Sequence, residues 1–359
     1  MGAAASEGGV SFVRNASVLA DRLRRHGVRV ADMRSAPALE LQFAGLGGQS
    51  MPATTARPPV QPLEGQIESR PVTQARPGST GIRYFLDGAQ RTLPFVRIGT
   101  VPVSAVVAAA GIVEREPCAG CAPAKGTIRM QHAWIVPTTL ENPDLRRFVD
   151  EVQALGMDVI DPLALKSVAD PEAEARDYGQ MQTRAWDAAR VVRERLEETV
   201  LNAFRGSDDV PRAGGWLVVD GRLRRSRPKT LGLVKQFADP LLSGPDAEML
   251  LGLAQGSRTT AFQRCASRRG DGAADQLALW YLRLWDHDRL DARHALVRVE
   301  APDDVRTTAQ IDEISGWLLA ERTPRATGDE RWATLLYPVH QLERILKRRI
   351  DGDTRGWGR

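Results

Sequence analysis

Apolar positions along the chain follow two rhythms. Alternating or near-continuous apolar runs begin at residue 82 with IRYFL, LPFVRIGTV and VPVSAVVAAAGIVERE, and recur as QHAWIVP at 131–137, GGWLVVDG, ALWYLRLW and HALVRVEAP. Runs of this length and composition predict strands, and the short DGAQRT connection predicts a hairpin between the first two. Apolar residues at helical spacing predict helices over 11–26, 143–155, 178–204, 245–255, 308–321 and 336–350. The longest, 178–204, carries Trp186, Ala189, Leu196, Val200 and Ala203 as one stripe. Residues 46–80 have neither rhythm and are rich in Gly, Pro, Thr, Ala and Gln, which predicts a linker or irregular arm.

The order is three strands as a meander, a helix, a central apolar strand, then further strands and helices. It predicts an α/β fold, an RNase H-like mixed sheet flanked by helices, with an N-terminal helical and irregular extension over 1–80. The main domain then spans 81–350, and 351–359 is expected to be a flexible tail. In such a sheet, acids on the first and fourth strands meet near its centre.

The chain has 359 residues, of which 42% are hydrophobic and 26% charged, enough for a sizeable core. No apolar run is long enough to span a bilayer and no cleavable signal pattern opens the sequence, so the expected location is the cytoplasm. Cys118, Cys121 and Cys265 do not make a disulfide framework. The CxxC at 118–121 lacks a second pair and reads as a hairpin tip or as half of a metal knuckle shared between subunits. Net charge is +4, and lysine stands only at Lys125, Lys166, Lys229, Lys235 and Lys347, so arginine supplies most of the positive charge. Arginine is the better bidentate phosphate ligand, which keeps nucleic acid in view. No GxxxxGK[ST] phosphate loop or GxSxG elbow is present, so ATP hydrolysis and a serine nucleophile of that type are not expected.

Two Asp-Gly pairs carry the candidate chemistry, Asp87-Gly88 in IRYFLDGAQRT and Asp220-Gly221 in GGWLVVDGRLRR. Each reads as an ordinary hairpin turn or as a carboxylate at a strand end, where a hard cation such as Mg²⁺ or Mn²⁺ is held. The helix over 178–204 offers a third acid. Glu194 and Glu198 point away from Leu196, whereas Glu197 lies at the edge of the apolar stripe and is the best placed to reach the sheet. Arg222, Arg224, Arg225, Arg227 and Lys229 crowd the residues after Asp220 and read as a solvated loop or as a grip on phosphates; Lys235 is a further phosphate candidate. Tyr337 and His340 stand at a helix start, where a histidine can bind metal, position water, or simply cap and pack.

Taken in order, FLDGAQR, RLEETVLNAF, LVVDGRL, LGLVKQF, VRVEAP and LLYPVHQL resemble the motifs of the NurA nuclease family over residues 81–350. The resemblance implies a homodimeric, Mn²⁺- or Mg²⁺-dependent deoxyribonuclease that works with a HerA-like hexameric ATPase in DNA end processing or phage defence. It places Asp87 and Asp220 at the metal-binding aspartates, Glu197 (or Glu198) at the helix glutamate and Tyr337 at the late Tyr-Pro motif. His340 is taken as the fourth ligand. Ala89 stands where the family usually has serine, and Ile345 where it has a late acid or histidine, with His340 and Glu343 falling earlier. The alternative is a catalytically weakened DNA-binding or ATPase-adaptor subunit on the same fold.

Overall fold

A computed structural model describes residues 12–43, 59–76, 79–116, 120–165, 169–206, 215–235, 240–265, 276–287, 291–322 and 336–358. Cys118 lies outside them; Cys121 carries a free thiol. Five strands make the centre of one mixed sheet: β4 (Ile82–Ile98), β5 (Val101–Glu116), β7 (Arg129–Ile135), β9 (Trp216–Asp220) and β10 (Thr230–Val234). Their spatial order is β7-β5-β4-β9-β10, with β4, β9 and β10 parallel and β5 antiparallel between β4 and β7. This is the order expected of an RNase H-like sheet. The path continues from β10 through β14 (Leu296–Ala301) and β13 (Ala278–Arg283).

The expected hairpin at DGAQRT is absent. β4 runs unbroken through Asp87 and Gly88, and the chain reverses only at Gly99, whose φ of 60° suits glycine. The hairpin signal was overridden by packing, because every residue from Tyr84 to Pro94 pairs in register with β5. The alternation within β4 sorts its side chains to two cores. Phe85, Ala89 and Leu93 join Val339, Leu342 and Leu346 of helix α8 (Tyr337–Asp353). Tyr84 and Leu86 join Leu196, Val200 and Phe204 of helix α5 (Tyr178–Gly206) on the opposite face. The α5 stripe differs from expectation at both ends: Trp186 is half-buried and Ala203 exposed, while Ala185, Ala188 and Val192 fill the contact.

The described parts of the N-terminal extension pack into this body. Helix α1 (Phe12–Arg25) contributes Phe12, Leu19 and Leu23 to the α8-side core, and β1 (Val30–Asp32) pairs with β4. Within the expected linker, β2 (Val60–Pro62) pairs with β12 (Phe262–Arg264), and β3 (Ser69–Pro71) pairs with β11 (Ser257–Thr259). Between these strands the Glu64 carboxylate meets the fully buried Arg258 guanidinium at 2.7 Å, and Asp312 meets it at 2.6 Å. A buried arginine needs such partners, so this segment is anchored. The C-terminal tail is also packed rather than flexible. Trp357 is buried and its indole N–H donates to the Pro94 carbonyl at 3.1 Å. Among the described residues, no helix is long and apolar enough to cross a membrane.

Candidate active site

The parallel pairing of β4 with β9 matches Phe85 to Val218 and Leu86 to Val219. One residue further on stand Asp87 and Asp220. β9 ends there, and Gly221, at φ 141°, turns the chain away. The two aspartates, 133 positions apart in sequence, are therefore neighbours across adjacent strands. Asp87 is buried, and its Oδ1 accepts a short-range bond from the Gly88 N–H at 2.8 Å. Burial and then the Asp220 charge push its carboxyl well above the usual range; Lys235 works in the other direction. Lys235, just past β10, donates to Asp220 Oδ2 at 2.8 Å.

Glu197 approaches from α5, and glycine makes the approach possible. A Cβ on Gly88 would sit 2.2 Å from Glu197 Oε1 and 2.9 Å from its Cδ. Gly88 is thus required by close packing of a carboxylate, not by a turn. Burial pushes the Glu197 carboxyl up to about 7, against the pull of Arg193 one turn earlier, whose Nη1 lies 3.5 Å away. Glu197 Oε1 is buried with no hydrogen-bond partner among the described residues, and so is Arg193 Nε.

A fourth carboxylate comes from α8. Glu343 acts on Asp87 with a charge that raises its pKa, and pairs with Lys347 at 2.8 Å. Sequence reading had preferred His340, which lies half-buried one turn earlier on the same helix. The i, i+3 relation between His340 and Glu343 was the available signal, since both fall on one helix side. Tyr337, at the start of α8, is exposed and its hydroxyl bonds Gln341. Arg193 was also missed; its i, i+4 spacing from Glu197 marks it in the same way.

The basic loop is already engaged. Arg224 meets Glu194 at 3.0 Å, Arg225 meets Asn202 at 3.0 Å, and Arg227 meets Glu198 at 2.5 Å. The Lys229 carbonyl accepts from Arg205 at 2.8 Å. Glu198 therefore binds the loop, and Glu197 is the α5 acid that enters the site. The Arg224 and Arg225 pairs are exposed and worth about 0–1 kcal/mol each, so a phosphate can exchange with them, whereas Arg227 and Glu198 are partly buried. Arg222 is exposed.

No protein-family model and no curated protein matches this chain. The site has to be judged on its own chemistry.

Among the described residues, no three His, Cys, Asp or Glu side chains close into a ready-made metal shell. Lys235 and Arg193 hold two of the acids instead. The donor set still fits a hard divalent cation: all four groups present carboxylate oxygens, and one buried oxygen of Glu197 is unsatisfied. Placing three further acids near a buried Asp87 is costly unless a cation or protons neutralise them.

Proposed function

We propose that the protein is a divalent-metal-dependent nuclease that hydrolyses DNA phosphodiesters. The observation that carries this reading is that Asp87 and Asp220 stand side by side at adjacent strands, with Glu197 packed against Gly88 from α5 and the charge of Glu343 on α8 reaching Asp87. These four residues would hold Mg²⁺ or Mn²⁺. The ion would supply an activated water and charge stabilisation at the departing oxygen.

The chain's own groups prepare the ground. The Gly88 amide orients Asp87, and Arg193 keeps Glu197 turned toward the strands. Lys235, which donates to Asp220 at 2.8 Å, is placed beside the acids where it can bind a substrate phosphate. Arg224 and Arg225 exchange α5 acids for backbone phosphates. The resemblance over 81–350 extends the proposal to a cytoplasmic homodimer that processes DNA ends beside a HerA-like ATPase.

A second reading, a DNA-binding or adaptor subunit without catalysis, is favoured by the absence of a closed three-donor group among the described residues. Cleavage assays on single- and double-stranded DNA with Mn²⁺, Mg²⁺ or EDTA separate the two. Metal-dependent degradation is expected, falling about 10–100-fold in Glu343→Gln, the size typical of losing a group that supports a metal site. Salt-sensitive DNA binding without cleavage by the wild-type protein would favour the second reading. Absence of both binding and cleavage would defeat both.

A further inference from the structure

We propose that Lys235 and Arg193 are built-in counter-ions of the acid site, which occupy Asp220 and Glu197 in competition with a divalent cation and so set the affinity for it. The inference rests on the metal-dependent reading and names what controls that site.

Strand register places the first of them. β9 and β10 are parallel, and Asp220 pairs with Leu233. Leu233 and Val218 both pack in the α8-side core, so alternation puts Asp220 and Lys235 on that same side. The Lys235 ammonium donates to Asp220 Oδ2 at 2.8 Å, and the two side chains are only 13% and 22% exposed. Among the described residues Lys235 has no other hydrogen-bond or ion-pair partner.

Helix periodicity places the second. Arg193 precedes Glu197 by one turn, so both lie on one side of α5. Its Nη1 stands 3.5 Å from Glu197 Oε1, and neither that oxygen nor the buried Arg193 Nε has a hydrogen-bond partner among the described residues. Arg193 is thus held by charge rather than by fitted donors. The carboxylates that act on it are Glu197, Asp87, Glu194 and Asp220, three of them acids of the site.

These contacts make the two residues rivals of a metal ion. Together they carry the charge of one divalent cation, and they meet carboxylates that the cation needs. A partly buried carboxylate left without a partner is costly, so Asp220 and Glu197 stay paired while no metal is bound. A metal ion reaches their oxygens only in the fraction of molecules that has released them, and its apparent affinity falls by that fraction. The Lys235 contact is a charged hydrogen bond and the larger obstacle; the longer Arg193 contact is the smaller. Removing a counter-ion should therefore tighten metal binding. A pair that only braces the fold would give the opposite result.

The test is calorimetric titration of Mn²⁺ at pH 8 into the wild-type chain, Lys235→Gln, Lys235→Arg and Arg193→Gln. Lys235→Gln should bind Mn²⁺ about 10–100-fold more tightly, the factor that corresponds to a charged hydrogen bond no longer broken. Arg193→Gln should gain less, and Lys235→Arg, which keeps the charge, should show no gain. Melting in EDTA and in Mn²⁺ gives a second readout: the rise on adding Mn²⁺ should be larger in Lys235→Gln than in the wild type. Arg193→Gln carries the test should Lys235→Gln fail to fold. Wild-type binding that is equalled or weakened in both Gln variants would overturn the counter-ion role and leave the nuclease reading standing. Saturable binding by Lys235→Gln but not by the wild type would uphold the role and count against the nuclease reading. Binding by none of the four proteins would overturn both.

Discussion

Asp87→Asn is expected to abolish Mn²⁺-dependent DNA cleavage, by about 100-fold or more, and at the same time to raise the melting temperature of the metal-free protein at pH 8. Both effects have one cause. Asp87 is buried beside Asp220, and burial followed by that neighbouring charge raises its carboxyl well above the ordinary value. A carboxyl whose folded pKa exceeds its unfolded value, about 3.9, holds its proton more tightly in the folded state. Its contribution to stability is therefore fully present below about pH 4 and is lost as pH rises toward the raised folded value. Asparagine keeps the shape and removes the ionisation. The variant should gain most over the wild type at pH 8 and little at pH 4, by several degrees at the upper end. Exchanging function for stability in this way is a recurrent property of active-site acids. Equal pH dependence of melting in the two proteins would show that Asp87 is not the strained group described here.

Gly88→Ala should be nearly as damaging to cleavage while leaving the fold in place. The added Cβ would meet Glu197 Oε1 at 2.2 Å, closer than any real contact, and the atoms in its way belong to the end of a flexible side chain. The strand can keep its register with β5, at Gly88↔Ala110, while Glu197 swings out of the site. A displacement of this size at a reacting centre costs about 100-fold in rate. Alanine is also the more favourable residue in a strand interior, by about 0.5–1 kcal/mol. Urea denaturation should thus show wild-type or slightly greater stability alongside the lost activity. An active Gly88→Ala protein would remove Glu197 from the proposed mechanism.

Gly88 also marks how far the site could be read in the sequence. Asp220 was legible as a strand end because GGWLVVDG is an apolar run that stops at a glycine, and Gly221 does turn the chain. Glu197 was legible because its angle from Leu196 puts it at the border of the buried stripe. Asp87-Gly88 was ambiguous: the same dipeptide marks a hairpin and a mid-strand gap that admits a helix side chain, and only the 17-residue run of β4 decides between them. The apolar runs marked the strands over 82–137 but divided β4 in two, so the order of the central strands is set by pairing that the runs do not reveal.

Other features depend on partners remote in sequence. The strands at 60–62 and 69–71 are three residues each and exist through pairing with β12 and β11, with Glu64 held by Arg258. Nothing local in a Gly- and Pro-rich segment announces that. Trp357 near the C-terminus docks on Pro94, 263 residues away, for the same reason. Glu343 was passed over in favour of His340 because both lie on one side of α8. The reach of Glu343's charge to Asp87 is set only by the packing of α8 against β4 and β5.

The central claim is that these acids are a divalent-cation site. Calorimetric titration of Mn²⁺ at pH 8 into the wild-type protein and Asp87→Asn tests it directly. The wild type should bind Mn²⁺ saturably, with release of protons, and the variant should lose that binding while remaining folded. Saturable binding of equal affinity in both proteins, or no binding by the wild type, would contradict it.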